Sequence, residues 1–151
     1  MMRSNGTVRL RKLLVFPMAL LFGVFAAVGD IHAQRPSINV FLERYDTDHD
    51  GSLSLEEIKK AAIERFKTLD RNRRGRLTRS QLAGLLSFQQ FRTADKDKTR
   101  TIDQHEFVAI GQDLFHKADA EHVGRLDKKE LGTGPGKALR RLFAVRQGPV
   151  F

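Results

Sequence analysis

The chain has 151 residues, 40% hydrophobic and 30% charged, enough for one packed domain and not two. It contains no Cys, so neither a disulfide nor a lipid-modified cysteine is available, and no Trp, a single Tyr and no basic-aromatic interleaving of the kind that stacking on nucleic acid bases requires. A formal net charge of +9 turns attention to anionic partners.

In chain order, Arg3, Arg9, Arg11 and Lys12 precede an apolar run from Leu13 to Val28, and Ile31-His32-Ala33 then ends in a small residue. That order is that of a secretory signal peptide, 1–33, cleaved after Ala33. The apolar run falls short of the roughly 20 residues that span a bilayer, so a membrane anchor through residues 13–28 is the weaker alternative. Arg9 and Arg11 are split by Leu10, which leaves general secretion as the route and a periplasmic or secreted product as the expectation. Residues 34–151 keep 23 basic against 17 acidic side chains, about +6.

The segment 46–57 reads Asp-Thr-Asp-His-Asp-Gly-Ser-Leu-Ser-Leu-Glu-Glu. Asp46, Asp48 and Asp50 stand at positions 1, 3 and 5, Gly51 at 6, Ser52 at 7, Ser54 at 9 and Glu57 at 12. Ca²⁺ takes six to eight oxygens, and a tightly wound loop converges alternate side chains on one point, with the carbonyl of position 7 and a bidentate carboxylate at 12 closing the shell. Glycine at position 6 supplies the sharp turn at no steric cost.

Segments beginning at Asp70, Asp95 and Asp119 repeat this frame every 24 or 25 residues. Position 8 is Leu53, Leu77, Ile102 and Leu126, and apolar residues flank each segment at helical spacing as core. Chemistry varies between them. In 95–106, Asp95, Asp97, Thr99, Thr101, Asp103 and Glu106 form the ligand set, but position 6 is Arg100, strained at positive φ and cationic, which predicts weakened binding. In 119–130, Gly124 and Glu130 are in place, but Val123 offers no oxygen at position 5 and Glu121 is longer than Asp; a water-completed shell and no metal stay open as alternatives. In 70–81, Gln81 replaces the closing acid and Arg74 and Arg76 intrude, which predicts a structural loop.

From about residue 38 to 131 the chain resembles the EF-hand family, with a near-complete match in 46–57, a moderate one in 95–106 and degraded ones in 70–81 and 119–130. The resemblance implies an all-α fold in residues 34–132, Ca²⁺ as the bound ion, and short β-bridges between paired loops. The spacing implies more. Only 12 or 13 residues separate one loop from the next, and 55–69 has no Gly or Pro, so one helix of ~22 Å serves two loops. Neighbouring loops then lie at opposite ends, and loop 1 is expected to pair with loop 3 through Leu53 and Ile102, and loop 2 with loop 4 through Leu77 and Leu126. Gly84 and Gly111 are the weak points of that expectation.

Residues 133–151 open with Gly132-Thr133-Gly134-Pro135-Gly136, read as a break, before a basic tail in which Leu139, Leu142 and Phe143 share one helical face. Docking on the bundle is preferred to a membrane- or partner-binding role. The leading function is an exported calcium-binding protein acting as sensor, buffer or calcium-stabilised adaptor. The alternative is a basic interaction module for an anionic polymer, membrane surface or protein partner, with calcium structural. No enzyme is expected. His49, His105 and His122 occupy non-ligand loop positions, His116 lacks companions for a zinc site, and no Ser lies in a nucleophile-elbow sequence.

Overall fold

Each helix start carries its own local signal. The computed structural model describes residues 37–144; the expected signal peptide 1–33, the apolar run 13–28 and the tail beyond 144 lie outside the described residues. Ser37 caps α1 (Ile38–Tyr45) by accepting from the Val40 N–H. α2 (Leu55–Leu69) and α4 (Gln104–Ala118) start on capping boxes, Ser54 with Glu57 and Asp103 with Glu106. α3 (Phe88–Ala94) starts on Ser87 with Gln90, α5 (Lys128–Leu131) on Asp127 with Glu130, and α6 (Gly134–Phe143) on Thr133. Four short strands complete the fold: β1 (Leu53–Ser54), β2 (Arg76–Thr78), β3 (Thr101–Asp103) and β4 (Arg125–Leu126).

The strands pair otherwise than the spacing predicts. β1 is antiparallel to β4, with Leu53 opposite Leu126, and β2 is antiparallel to β3, with Leu77 opposite Ile102. The expected pairs Leu53–Ile102 and Leu77–Leu126 are therefore corrected to Leu53–Leu126 and Leu77–Ile102. The cause is the connection between β2 and β3. α2 and α4 each run unbroken for 15 residues, but residues 79–86 form turns and a single bridge between Ala83 and Leu86, with Gly84 at φ +80°, and a fresh N-cap at Ser87 launches the seven-residue α3. Glycine reaches that left-handed conformation without strain, and the chain doubles back there instead of crossing to the far end. α4 then returns it to the end where β1 waits. Gly111 introduces no break in α4; a Cβ there would lie 3.3 Å from the Phe143 ring.

α2 and α4 pack side by side as the axis, with a strand pair at each end. One core runs through both, including Ile58, Ala62 and Phe66 of α2, Phe107 and Phe115 of α4, and the four strand residues Leu53, Leu77, Ile102 and Leu126, all nearly or fully buried. Phe66 and Phe107 meet edge-to-face at 5.9 Å.

The Gly/Pro run expected as a break instead forms the first turn of α6, with Pro135 at a position where a missing N–H costs nothing. Leu139, Leu142 and Phe143 bury their side chains against α4, so the bundle extends past residue 132 to Phe143. Arg65 Nε donates to the Leu142 carbonyl and the Tyr45 hydroxyl to the Phe143 carbonyl, anchoring the C-terminal end of α6. Among the described residues no helix is long and apolar enough to cross a membrane.

Candidate metal centres

All four segments adopt one backbone frame, including those with degraded chemistry. Position 4 lies at positive φ in each (His49, Arg73, Lys98 and His122), and so does position 6, as Gly51, Gly75, Arg100 and Gly124. The first aspartate ends its incoming helix and folds its carboxylate over the turn. Asp46 Oδ1 accepts from the Asp50 N–H at 3.2 Å and Oδ2 from the Gly51 N–H at 2.9 Å, and Asp70 and Asp119 repeat the pattern. Position 9 caps the outgoing helix in all but 70–81, after which turns follow, while position 12 reaches back across the loop.

In the segment 46–57 the ligand oxygens of Asp46, Asp48 and Asp50 lie within 4.8 Å of one another. Glu57 lies outside that trio. Its Oε1 accepts from the Thr47 N–H at 2.6 Å and its Oε2 from the Ser54 N–H at 2.9 Å. Burial opposes ionisation of Glu57, but the bonds from Ser54 and Thr47 together outweigh it and hold the carboxyl below its ordinary value. Ser52 donates its backbone and hydroxyl hydrogens to Asp50 Oδ1, which fixes that carboxylate.

The segment 95–106 draws its closing acid in. Oxygens of Asp95, Asp97 and Glu106 lie within 4.8 Å of one another, with Glu106 Oε1 held by the Lys96 N–H at 2.7 Å. Asp95 differs from the other first aspartates. Its Oδ2 accepts from the Arg100 N–H at 3.0 Å, while Oδ1 is buried and, alone among such side-chain atoms of the described residues, accepts nothing. An orphaned buried carboxylate oxygen costs free energy unless something meets it, and a cation inside the acidic trio would. The donor set, all oxygen, suits Ca²⁺. Asp103 accepts from the Glu106 N–H at 2.8 Å as cap, and Thr99 shares a hydrogen bond with Thr101 at 2.9 Å.

The other two segments keep the frame with a reduced ligand set. Gln81 closes 70–81 from both ends of its amide, accepting from the Thr78 N–H at 2.9 Å and donating to the Leu69 carbonyl at 3.1 Å, so an amide provides the closure that a carboxylate provides elsewhere. In 119–130 Glu130 accepts from the Ala120 N–H at 3.0 Å, but Val123 turns outward, 64% exposed.

Two arginines that belong to the degraded loops act on the other ones. Arg125 of β4 pairs with Asp50 Oδ2 and lies 3.5 Å from Ser52 Oγ. Arg76 of β2 places Nη1 3.4 Å from Asp97 Oδ2, 2.9 Å from Thr99 Oγ1 and 3.3 Å from Thr101 Oγ1. Asp97 accordingly titrates below its ordinary value, through hydrogen bonds from Thr99 first and Arg76 after. The signal was in the numbering: both arginines hold position 7, next to the residue that bridges to the partner loop, so the strand register points each across the pair.

The two ends differ in charge. Segments 46–57 and 119–130 together hold nine acidic and three basic side chains, whereas 70–81 and 95–106 hold five acidic and eight basic.

A family model described as EF hand matches residues 38–62, which cover α1, the segment 46–57 and the first half of α2. No curated protein matches the chain. The match and the Asp46–Asp48–Asp50 cluster together support calcium binding in an EF-hand setting.

Proposed function

We propose that the protein is an exported, non-enzymatic calcium-binding protein built of four EF-hand repeats, in which α2 and α4 each serve two loops. The observation that carries this reading is the coincidence of the EF-hand match with the aspartate trio at 46–50. In the first loop Asp46, Asp48, Asp50, the Ser52 carbonyl, Ser54 and Glu57 would hold the ion. In the third, Asp95, Asp97, Thr99, the Thr101 carbonyl, Asp103 and Glu106 would do so. The ion supplies a compact divalent charge that neutralises the converging carboxylates. The chain supplies the positive-φ turns, the position-1 carboxylate fixed by backbone N–H groups, and a closing glutamate already wired to the loop it must shut. Loops 2 and 4 then serve as strand partners that hold the binding loops in shape.

Export follows from the order of basic, apolar and small residues in 1–33 and makes the working compartment periplasmic or extracellular. There, modules of this kind bind calcium at ~10⁻⁴–10⁻³ M, which suits a sensor, a buffer or an adaptor stabilised by environmental calcium. The basic end formed by 70–81 and 95–106 favours a second reading, a module that docks an anionic surface or protein partner with calcium in a structural role.

Calorimetric calcium titration tests the proposal. Two binding events are expected, of which Glu57→Gln removes the tighter and Glu106→Gln the weaker. A chain that takes up no calcium refutes it. A tight event that survives Glu57→Gln refutes the assignment to the first loop.

A further inference from the structure

The same contact occurs at both ends of the molecule. At each, the loop with degraded ligands lends its position-7 arginine to the middle oxygens of the loop that keeps them. We propose that Arg125 and Arg76 are resident cations, each occupying oxygens that calcium must take, so that calcium loading proceeds by displacing a guanidinium across the strand pair. This rests on the calcium reading given above.

In loop 1 both oxygens of Asp50 are engaged. Oδ1 accepts from Ser52 while Oδ2 meets Arg125, so a divalent ion drawn to this carboxylate meets a guanidinium already held there and must displace it. In loop 3 the argument is sharper. Thr99 has a single side-chain oxygen, which lies 2.9 Å from Arg76 Nη1 and 2.9 Å from Thr101 Oγ1. A divalent ion and a guanidinium on one neutral hydroxyl would repel each other, and the same Nη1 also lies 3.4 Å from Asp97 Oδ2 at position 3. The strand register enforces the approach, because it sets Arg125 opposite Ser54 and Arg76 opposite Asp103. Each arginine thereby gives the calcium-free loop a positive partner and gives calcium a competitor. Loops 2 and 4 are then regulators of affinity as well as strand partners.

The test combines calcium calorimetry with thermal melting in chelator, on the wild-type chain and on Arg125→Gln, Arg76→Gln and Lys67→Gln. Lys67 lies in the last turn of α2, away from loop 1, and controls for loss of one positive charge. Arg125→Gln is expected to tighten the event that Glu57→Gln abolishes by about two- to fivefold, the factor of an exposed ion pair, while lowering the melting temperature of the calcium-free protein. Arg76→Gln should do the same to the event that Glu106→Gln abolishes, and Lys67→Gln should leave the loop 1 event unchanged. A purely structural role would lower the melting temperature and the affinity together. Affinity that is unchanged or weaker in both arginine variants, or equally tightened by Lys67→Gln, overturns the proposal while leaving the calcium reading intact. A wild-type chain with no calcium isotherm overturns both.

Discussion

Replacing Arg100 by Gly separates two effects that a sequence reading merges. Arg100 stands at φ +63° at a turn position that the other three segments fill with glycine. Holding a non-glycine residue there costs about 1–2 kcal/mol, and a glycine returns about 0.5–1 kcal/mol of that through the entropy of the unfolded chain. The backbone N–H that donates to Asp95 Oδ2 survives the change. The net gain is about 0.5 kcal/mol, or a melting temperature higher by about 2–4 °C for a domain of this size. The strain is present before any cation enters, so its relief is felt as fold stability and not as calcium affinity. Affinity changes only through charge. A guanidinium ~8 Å from a divalent ion in water repels it by about 1 kcal/mol, and physiological salt screens this to about 0.4 kcal/mol, a twofold change in the dissociation constant. Thermal melts in chelator and calorimetry in calcium read the two quantities independently. A melting temperature that stays level or falls refutes the strain argument, and a tenfold gain in affinity would mean that the loop is rebuilt when the ion arrives.

Three other expectations follow from the geometry. A Cβ on Gly136 would meet the Glu130 carbonyl at 2.2 Å and the Leu131 backbone at 2.6 Å, so Gly136→Ala should lift α6 and cost about 2–4 kcal/mol by urea denaturation; a loss under 1 kcal/mol would show that α6 can shift without penalty. A double-mutant cycle to Ala at Leu53 and Leu126 should give a coupling of about 0.5–1 kcal/mol while Leu53 with Ile102 gives about none, and the reverse would restore the pairing expected from spacing. Because the folded pKa of Glu57 is lowered, its contribution to stability is present above the ordinary value of 4.5 and is lost as pH falls through the folded one. The stability difference between wild type and Glu57→Gln, measured in chelator, should therefore shrink in acid, and a difference that is flat across that range would sink the assignment.

The loops were legible because their chemistry is local. Twelve consecutive residues specify the turn, the cap and the ligands, and the frame at Asp46, Gly51, Ser54 and Glu57 needs nothing distant. Leu53, Leu77, Ile102 and Leu126 announced themselves as bridging residues for the same reason. Which bridged which was not local. It hinged on Gly84 and Ser87, where a left-handed glycine and a new N-cap turn one stretch of helical pattern into a reversal, while Gly111, the same residue type in a similar pattern, sits inside an intact helix packed near Phe143. Periodicity does not distinguish these two glycines; the contacts each makes do. Gly134-Pro135-Gly136 misled in the opposite sense, since a breaker in mid-helix is a good first turn after Thr133. Arg76 reads as a flaw in its own loop and Arg125 carries no local signal at all, because the partners of both lie across a strand pair and are set by its register.

The pairing of β1 with β4 also fixes when the molecule can be finished. Arg125 and Ser52, neighbours in that ladder, are 73 residues apart in sequence, whereas Arg76 and Thr101 at the other end are 25 apart. Closing the longer loop costs about 1 kcal/mol more in chain entropy, so the 70–106 end can form early and the acidic end must form last. At ~5–20 residues per second of synthesis, β1 waits about 4–15 s on a ribosome for the strand that completes it. The end of the protein with the most complete ligand set thus stays open until β4 has been made.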